Sequence, residues 1–299
     1  VGDNLGYNLC FAAACPSMSR RIVPLRAALW STKEEGFTSE NDKVTAMIRD
    51  IAHAADGRGI YVYDRGGDGD WLFDFFLAEG LDFIVRLVGN RNLLHWNGTR
   101  LAEDLAVACE MKHHDHVMFR SHGREVSVRV SYGSLPVRLP DHPGAELRLV
   151  VVRWPRSERP MMLLTTLRAA RSRRSLRQVV EGYLTRWRIE ETIRFVKQSY
   201  ELEDMRLLKY GRLQALVAIV TAVAYFAMAW LGLGEKLGVL ADHVKRISKR
   251  MFEVPDFFFH AIADGVSELF TRHGRWHGLD GPDRDTEPAG RSLQLELGF

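Results

Sequence analysis

The sequence predicts an α/β fold with an antiparallel β-rich insertion before a late helix. Two apolar segments at 7–15 and 21–30, joined by a Pro-Ser-Met-Ser turn, are typical of a β-hairpin. A helix with apolar residues at i, i+3, i+4 and i+7 starts from Ser39, and a short apolar segment at 60–63 predicts a buried, central strand. Between about 95 and 165, alternating apolar segments punctuated by Gly and Pro indicate further antiparallel strands.

The bulk composition is that of an ordinary globular protein with one large domain or two small ones. The chain has 299 residues, of which 46% are hydrophobic and 26% are charged, and its formal net charge is +3. So small a net charge does not by itself indicate a nucleic-acid partner. The three cysteines, Cys10, Cys15 and Cys109, are too few and too irregularly spaced for a disulfide framework, so a reducing cytoplasm is expected.

One apolar segment has the length of a membrane span. Between Leu213 and Leu233 the strongly polar residues are Gln214 and Thr221, over a length of about 20 residues. The alternative is a helix buried on several sides of an α/β domain, and no other segment is typical of a membrane protein. We expect the buried helix, and therefore no membrane.

Four polar residues near position 190 have the spacing of one helix face. They are three, four and seven residues apart and fall within a sector of roughly 60° on a single helix: Tyr183, Arg186, Glu190 and Lys197. An apolar stripe runs beside them: Ile189, Ile193, Val196 and Tyr200. A carboxylate at the rim of a buried surface is suited to hold a metal or a proton. An ordinary solvated Arg–Glu pair explains the same spacing, so both interpretations are open at this point.

An acidic residue follows the short strand at 60–63. Asp64 opens the sequence Asp-Arg-Gly-Gly-Asp-Gly-Asp, and α/β folds tend to place ligands at the carboxyl ends of central strands. An Asp-rich turn or helix cap is the alternative. Asp68 and Asp70 are weaker candidates, and Asp70 is expected to cap a helix that starts at Trp71.

Arginines dominate the segment before the Glu190 helix. From Arg148 to Arg177 there are nine arginines and one acid, Glu158. Such a cluster is the electrostatic pattern of phosphate contacts, although a solvated basic loop is the alternative. We expect DNA contact from residues that include Arg171, Arg173 and Arg174. Ser175 and Gln178 are expected to cap the helix.

A group of metal-binding residue types lies within the β-rich segment: Cys109, His113, His114 and His116. No second Cys pair or suitably spaced His pair accompanies it, as a structural zinc site would require. We expect a solvated, His-rich loop.

The motif residues resemble those of a known enzyme family. Tyr183, Arg186, Glu190 and Lys197 have the order and spacing of a motif in insertion-sequence transposases with an Asp-Asp-Glu (DDE) triad. A strand ending in Asp-Arg-Gly at Asp64 is similar to the second Asp of that triad. The context at 186–191 and the stretches 83–87 and 90–92 also look like the family.

The resemblance implies an RNase H-like mixed sheet flanked by helices. It makes Asp64 and Glu190 the catalytic carboxylates, which would bind two Mg²⁺ ions, with Mn²⁺ as a substitute. Tyr183, Arg186 and Lys197 would contact DNA. The partners would be transposon-end DNA and target DNA, with a homodimer forming on the ends, and the location would be the bacterial cytoplasm at the nucleoid.

The resemblance also predicts how the chain is divided. The core would comprise 1–94 and 167–272, with a β-rich insertion at 95–166 and a disordered tail at 273–299. The strand bearing the first catalytic Asp would lie upstream of Val1, so we expect this chain to be truncated and a poor catalyst. An RNase H-like nuclease and a non-catalytic DNA-binding regulator or relic remain alternatives.

Overall fold

The structure is a computed structural model. It describes most of the chain: residues 6–15, 22–96, 98–121, 124–155, 157–167, 172–200, 209–230, 244–249, 260, 263–265, 267–268 and 294–296. The chain divides into two compact units. The sheet unit comprises Glu40–Trp187, and the split unit comprises Val1–Ser39 with Arg188–Phe299. The four-part domain division expected from the sequence stays a prediction.

The split unit contains the expected hairpin. Strand β1 (Gly6–Ala14) pairs antiparallel with β2 (Val23–Trp30), with a register shift between Ala12 and Ala13. A third strand, formed by Gln294–Glu296 and here named β11, pairs parallel with β1, so these three residues of the expected disordered tail form a strand. The rest of the tail lies outside the described residues.

Helices α5 (Trp187–Tyr200) and α6 (Tyr210–Tyr225) complete the described core of the split unit. Phe195 and Val196 are buried with strand and α6 residues in one hydrophobic cluster, to which Leu9, Phe11, Val217 and Val220 belong. The hydroxyl of Tyr210 donates to the carbonyl of Leu29 over 3.0 Å, which fixes the start of α6 to the hairpin.

The apolar helix is buried on one side rather than on several. Leu213, Val217 and Val220 are buried, whereas Ile219 is 61% exposed. In the described residues, Tyr210–Ala229 is the one helical segment long and apolar enough to cross a membrane, with a mean hydropathy of 1.7 and 39% of its window buried. Length and composition alone are weak support for a membrane span.

The sheet unit contains the remaining elements. Its helices are α1 (Glu40–Ala54), α2 (Asp70–Ala78), α3 (Ala102–Ala108) and α4 (Arg173–Leu184). Its strands are β3 (Ile60–Tyr63), β4 (Asp82–Arg86), β5 (Asn92–His95), β6 (Gly98–Leu101), β7 (His113–Ser121), β8 (Arg124–Leu139), β9 (His142–Arg153) and β10 (Met161–Thr165).

These eight strands form one mixed sheet in the order β3-β4-β10-β9-β8-β5-β6, with β7 also paired to β8. Strands β3 and β4 are parallel, as a strand–helix–strand crossover requires. Strand β10 pairs antiparallel with both β4 and β9. The predicted β-rich insertion therefore continues the core sheet, and the mixed α/β architecture agrees with an RNase H-like fold.

Helices cover both faces of this sheet. Phe83 and Val85 of β4 face α2 and α3 in one hydrophobic cluster, and Ile84 faces α4 in another. This division follows from the two-residue side-chain period of a strand. Strand β3 is terminal in the described sheet and half-buried, not the central buried strand expected from its composition.

The His-rich segment is a strand, and the expectation of a loop there was wrong. In β7, Asp115 and Val117 point inward and are buried, while His114 and His116 are exposed. The His114 Nδ1 lies 2.9 Å from Ser131 Oγ, and the His116 Nδ1 lies 3.3 Å from Ser127 Oγ, both on β8. The buried Cys109 ends α3, and burial raises the pKa of its thiol.

Close backbone approach explains one strand glycine. A Cβ at Gly133 of β8 would lie 2.0 Å from the carbonyl oxygen of Glu110, whereas a Cβ at Gly144 of β9 would meet nothing within 4 Å. We expect Gly133→Ala to destabilise the sheet unit by about 1–3 kcal/mol or more, because backbone must move to relieve the overlap. Thermal and urea unfolding would measure the change.

Gly144→Ala is the matched control, since it adds the same methyl group to the same sheet. Its unfolding midpoint should stay close to that of the wild type. Equal stability of Gly133→Ala and Gly144→Ala would contradict the close approach.

Candidate active site

The candidate site is built around the carboxyl end of β3. Asp64 directly follows this strand, and its Oδ1 accepts a hydrogen bond of 2.9 Å from the backbone N–H of Gly66. That bond caps a 3₁₀ turn formed by Arg65–Gly67. The Asp64 side chain is 42% exposed, so the rest of its carboxylate is accessible.

The second component of the site is Arg186, which follows the C-terminal end of α4. The Nη1 of Arg186 lies 3.6 Å from Asp64 Oδ2, and the Arg186 side chain is 25% exposed. Asp64 and Arg186, which were separate candidates in the sequence, thus form an ion pair. Both belong to the sheet unit.

The four motif residues do not share one helix, so the single-face prediction was wrong. Helix α4 ends at Leu184 and α5 begins at Trp187. The Thr185 hydroxyl donates to the carbonyl of Gly182 over 2.6 Å, and the N–H of Arg186 donates to the carbonyl of Tyr183 over 3.0 Å. These bonds form a tight turn that carries Arg186 outside both helices.

Tyr183 lies on the buried side of α4. It is 6% exposed and belongs to a hydrophobic cluster with Leu176, Val180 and Ile84. Its burial favours a packing role, which the sequence left open beside DNA contact.

Glu190 and Lys197 lie on α5 and belong to the split unit, whereas Asp64 belongs to the sheet unit. Glu190 is exposed in the first turn of α5, and Lys197 is half-buried in its last turn. The apolar stripe beside them is confirmed, because Val196 is buried and Ile189 and Ile193 pack against the same cluster. The side chain of Tyr200 lies outside the described residues.

The other two acids of the Asp64 loop are held by one arginine. Asp68 is 2% exposed on its side chain, accepts from the N–H of Val88 over 2.7 Å and pairs with Arg91 Nε. Arg91 Nη1 also pairs with Asp70 at 2.5 Å, and its guanidinium stacks 4.7 Å from the ring of Phe73. Asp70 is the first residue of α2 and not its cap, since Gly69 holds the cap position. These contacts fix the loop and explain why both acids are poor ligand candidates.

A buried carboxylate anchors the start of α4. Asp115 of β7 accepts two hydrogen bonds from Arg173, at 3.0 Å from Nε and 2.6 Å from Nη2, and a third from the hydroxyl of Tyr132. The bonds from Arg173, and then that from Tyr132, hold the pKa of Asp115 well below its usual range. Burial, together with the Asp115 charge, raises the pKa of Tyr132 to about 12.

The predicted DNA-binding arginines therefore differ in environment. Arg173 forms an ion pair with Asp115, and Arg177 donates to Glu181 over 2.8 Å. Arg174 is exposed, and within the part of the chain that the structure describes it makes no ion pair. Arg171 lies outside the described residues. Ser172, and not Ser175, is the N-cap of α4, and the two serines form a reciprocal capping box.

No group of three or more His, Cys, Asp or Glu side chains is close enough to hold a metal among the described residues. Asp64 nevertheless fits a hard cation, because its exposed carboxylate supplies oxygen ligands beside a backbone turn. Glu190 offers a second exposed carboxylate in its own unit.

Comparison with known protein families gives an independent result. The family model described as the transposase DDE domain matches residues 34–227, which is more than half of the chain. The match includes Asp64, Arg186 and Glu190. No curated protein matches the chain.

The Asp115 contact predicts an acid-sensitive stability. Its folded-state pKa is depressed, so its contribution is complete above the unfolded pKa of about 4 and is lost as the pH falls through the folded value. The urea midpoint of the wild type should exceed that of Asp115→Asn most at pH 6–7, and the difference should shrink below about pH 4. Asp56→Asn removes an exposed pair and should show no such trend. A constant difference down to pH 2 would rule out this linkage.

Substitutions of the two adjacent arginines of α4, Arg173 and Arg174, should have different effects on stability and on DNA binding. Arg173→Ala should lower the unfolding midpoint, because it leaves Asp115 buried without its main partner. Arg174→Ala should leave stability unchanged and reduce the slope of log affinity for duplex DNA against log salt by about 0.9, the value for one phosphate contact. Fluorescence anisotropy at several salt concentrations measures the slope. Identical behaviour of the two variants would refute the assignment.

Proposed function

Because the chain belongs to the transposase DDE domain family, we propose that it catalyses metal-dependent phosphodiester hydrolysis and strand transfer at transposon ends. Asp64 and Glu190 serve as two of the three carboxylates in this proposal. Arg186, Lys197 and the exposed Arg174 in the first turn of α4 contact the DNA phosphates. Transposon-end DNA and target DNA are the substrates, and two copies of the chain act together on the ends.

The observation that carries the proposal is the contact between Asp64 and Arg186. An arginine of the sequence motif lies 3.6 Å from the aspartate that follows β3, although the two are far apart in the chain. A surface ion pair would explain a single such contact. Here the carboxylate also ends a strand of a mixed sheet in a chain that belongs to a nucleic-acid-processing family.

The chain's own groups have distinct roles in the reaction. Mg²⁺, or Mn²⁺ in its place, would be held by Asp64 and Glu190, and when bound it would supply an activated oxygen nucleophile and stabilise the leaving oxygen. Arg186 pairs with the Asp64 carboxylate. Its guanidinium can move to a phosphate oxygen, for which a planar fork of donors is suited. Tyr183 fixes the position of this turn through its buried ring.

The family assignment indicates a soluble protein that acts on DNA. We place it in the bacterial cytoplasm at the nucleoid. In this proposal α6 is a core helix of the split unit and not a membrane span, because one of its sides packs in the hydrophobic cluster of that unit.

The proposal is tested with Asp64→Asn and Glu190→Gln in a nicking and strand-joining assay on transposon-end DNA with Mg²⁺. Each substitution should lower the rate roughly 100-fold or more, since loss of a metal ligand removes several kcal/mol of transition-state stabilisation. DNA affinity without metal should change little. Asp141→Asn removes an exposed carboxylate in the β8–β9 turn and is the control, with the same rate expected as for the unsubstituted chain.

A second readout does not require turnover. Fe²⁺ in place of Mg²⁺, with ascorbate and peroxide, cuts a polypeptide next to the bound metal. Cuts near both Asp64 and Glu190, lost in either variant, would support the shared metal. Cuts near neither, with unchanged DNA affinity, would instead favour the non-catalytic DNA-binding protein. Nicking without strand joining would identify the nuclease.

A further inference from the structure

A groove lies at the opposite end of the sheet from Asp64. It has a volume of about 630 Å³ and is formed where the β5–β6 hairpin meets β8 and β9. Its walls include Leu94, Trp96, Pro136, Arg138, Leu147 and Arg148. Strand β5 is five strand positions from β3 in the sheet order, or roughly 24 Å at the usual strand spacing. The groove is therefore separate from the carboxylate site of the sheet unit.

The most exposed large apolar side chain of the described residues lies at this groove. Trp96, in the turn between β5 and β6, is 83% exposed. The ring of the neighbouring His95 lies 5.9 Å away, edge-on, and His95 Nδ1 lies 2.7 Å from the carbonyl oxygen of Pro136 on β8. The hairpin that carries the indole is thus tied to the long strand, while the indole itself faces solvent.

Cations flank this aromatic surface. Arg138 is exposed and pairs in register with Leu94 of β5, at the point where β8 shifts its register against β9. Such a bulge turns a side chain away from the regular alternation. Arg148 also lines the groove, and Glu146 is the single acid among the lining residues. The balance of charge favours an anionic ligand.

An exposed indole next to arginines is the arrangement that binds single-stranded nucleic acid, since every base has a face that can stack and every linkage carries a phosphate. We propose that this groove binds a single-stranded or unpaired stretch of DNA, with a base stacked on Trp96 and the adjoining phosphate on Arg138. The proposal rests on the proposed function, because it assigns a second DNA contact to the same protein.

The test measures binding of a fluorescein-labelled 12-nucleotide oligothymidylate by anisotropy, in EDTA so that no cleavage occurs. Trp96→Ala should weaken binding roughly 5- to 100-fold, the usual effect of removing one stacking side chain. Trp96→Phe should retain most of the affinity, because a smaller aromatic face remains. Val107→Ala truncates a side chain that is 71% exposed on α3 and is the matched control, with unchanged affinity expected.

The charge component has its own readout. Arg138→Gln should reduce the salt slope of oligothymidylate binding by about 0.7, the value for one phosphate on a single strand. Affinity of Trp96→Ala within twofold of the wild type would overturn the proposal, as would a loss of self-association with unchanged oligonucleotide binding. If Trp96 proves necessary for oligothymidylate binding but Asp64→Asn leaves nicking intact, the assignment of the groove is supported and the assignment of Asp64 as a catalytic residue is refuted.

Discussion

The sheet unit depends on the double pairing of β10. All five of its residues are buried, and Leu163 stands in register with Arg86 on one side and with Val150 on the other. This strand joins the parallel pair β3–β4 to the antiparallel strands, so eight strands share one hydrogen-bonded sheet. Because α4 follows β10, the chain must return across the face of that sheet. The turn after α4 then reaches the carboxyl end of β3, where Asp64 lies.

Two fixed points determine the path of α4. At its start, Arg173 is bound to the buried Asp115 of β7, and at its end the Thr185 turn presents Arg186 to Asp64. A helix of 12 residues is about 18 Å long, which is most of the roughly 24 Å between β7 and β3. The contacts to Asp115 and Asp64 thus occur at the two ends of α4, and between them its buried face packs on the sheet through Leu176, Val179 and Val180.

Local sequence patterns predicted most of the helices and strands but few of the side-chain contacts between them. The hairpin, α1, β3 and the strands around Val130, Val150 and Leu163 followed from side-chain periodicity, because those patterns reflect burial directly. The break at Thr185 and Arg186 could not be predicted, since isolated weak helix formers such as Gly182 and Thr185 also occur inside helices and the contact of Arg186 with Asp64 is tertiary. The inward-facing Asp115, flanked by histidines, was the available signal that the His-rich segment is a strand.

The two kinds of arginine in this protein respond differently to dissolved ions. Arg91 lies against the ring of Phe73 and is bound to a carboxylate that is 2% exposed, so salt screens that pair weakly. An exposed arginine such as Arg174 would, in the proposed function, hold a phosphate through a contact that counterions displace readily. Concentrated salt would therefore strip bound nucleic acid from the protein while the Asp64 loop keeps its shape. In the proposed function, ionic strength would thus set how long the protein stays on DNA while having little effect on the fold of the Asp64 loop.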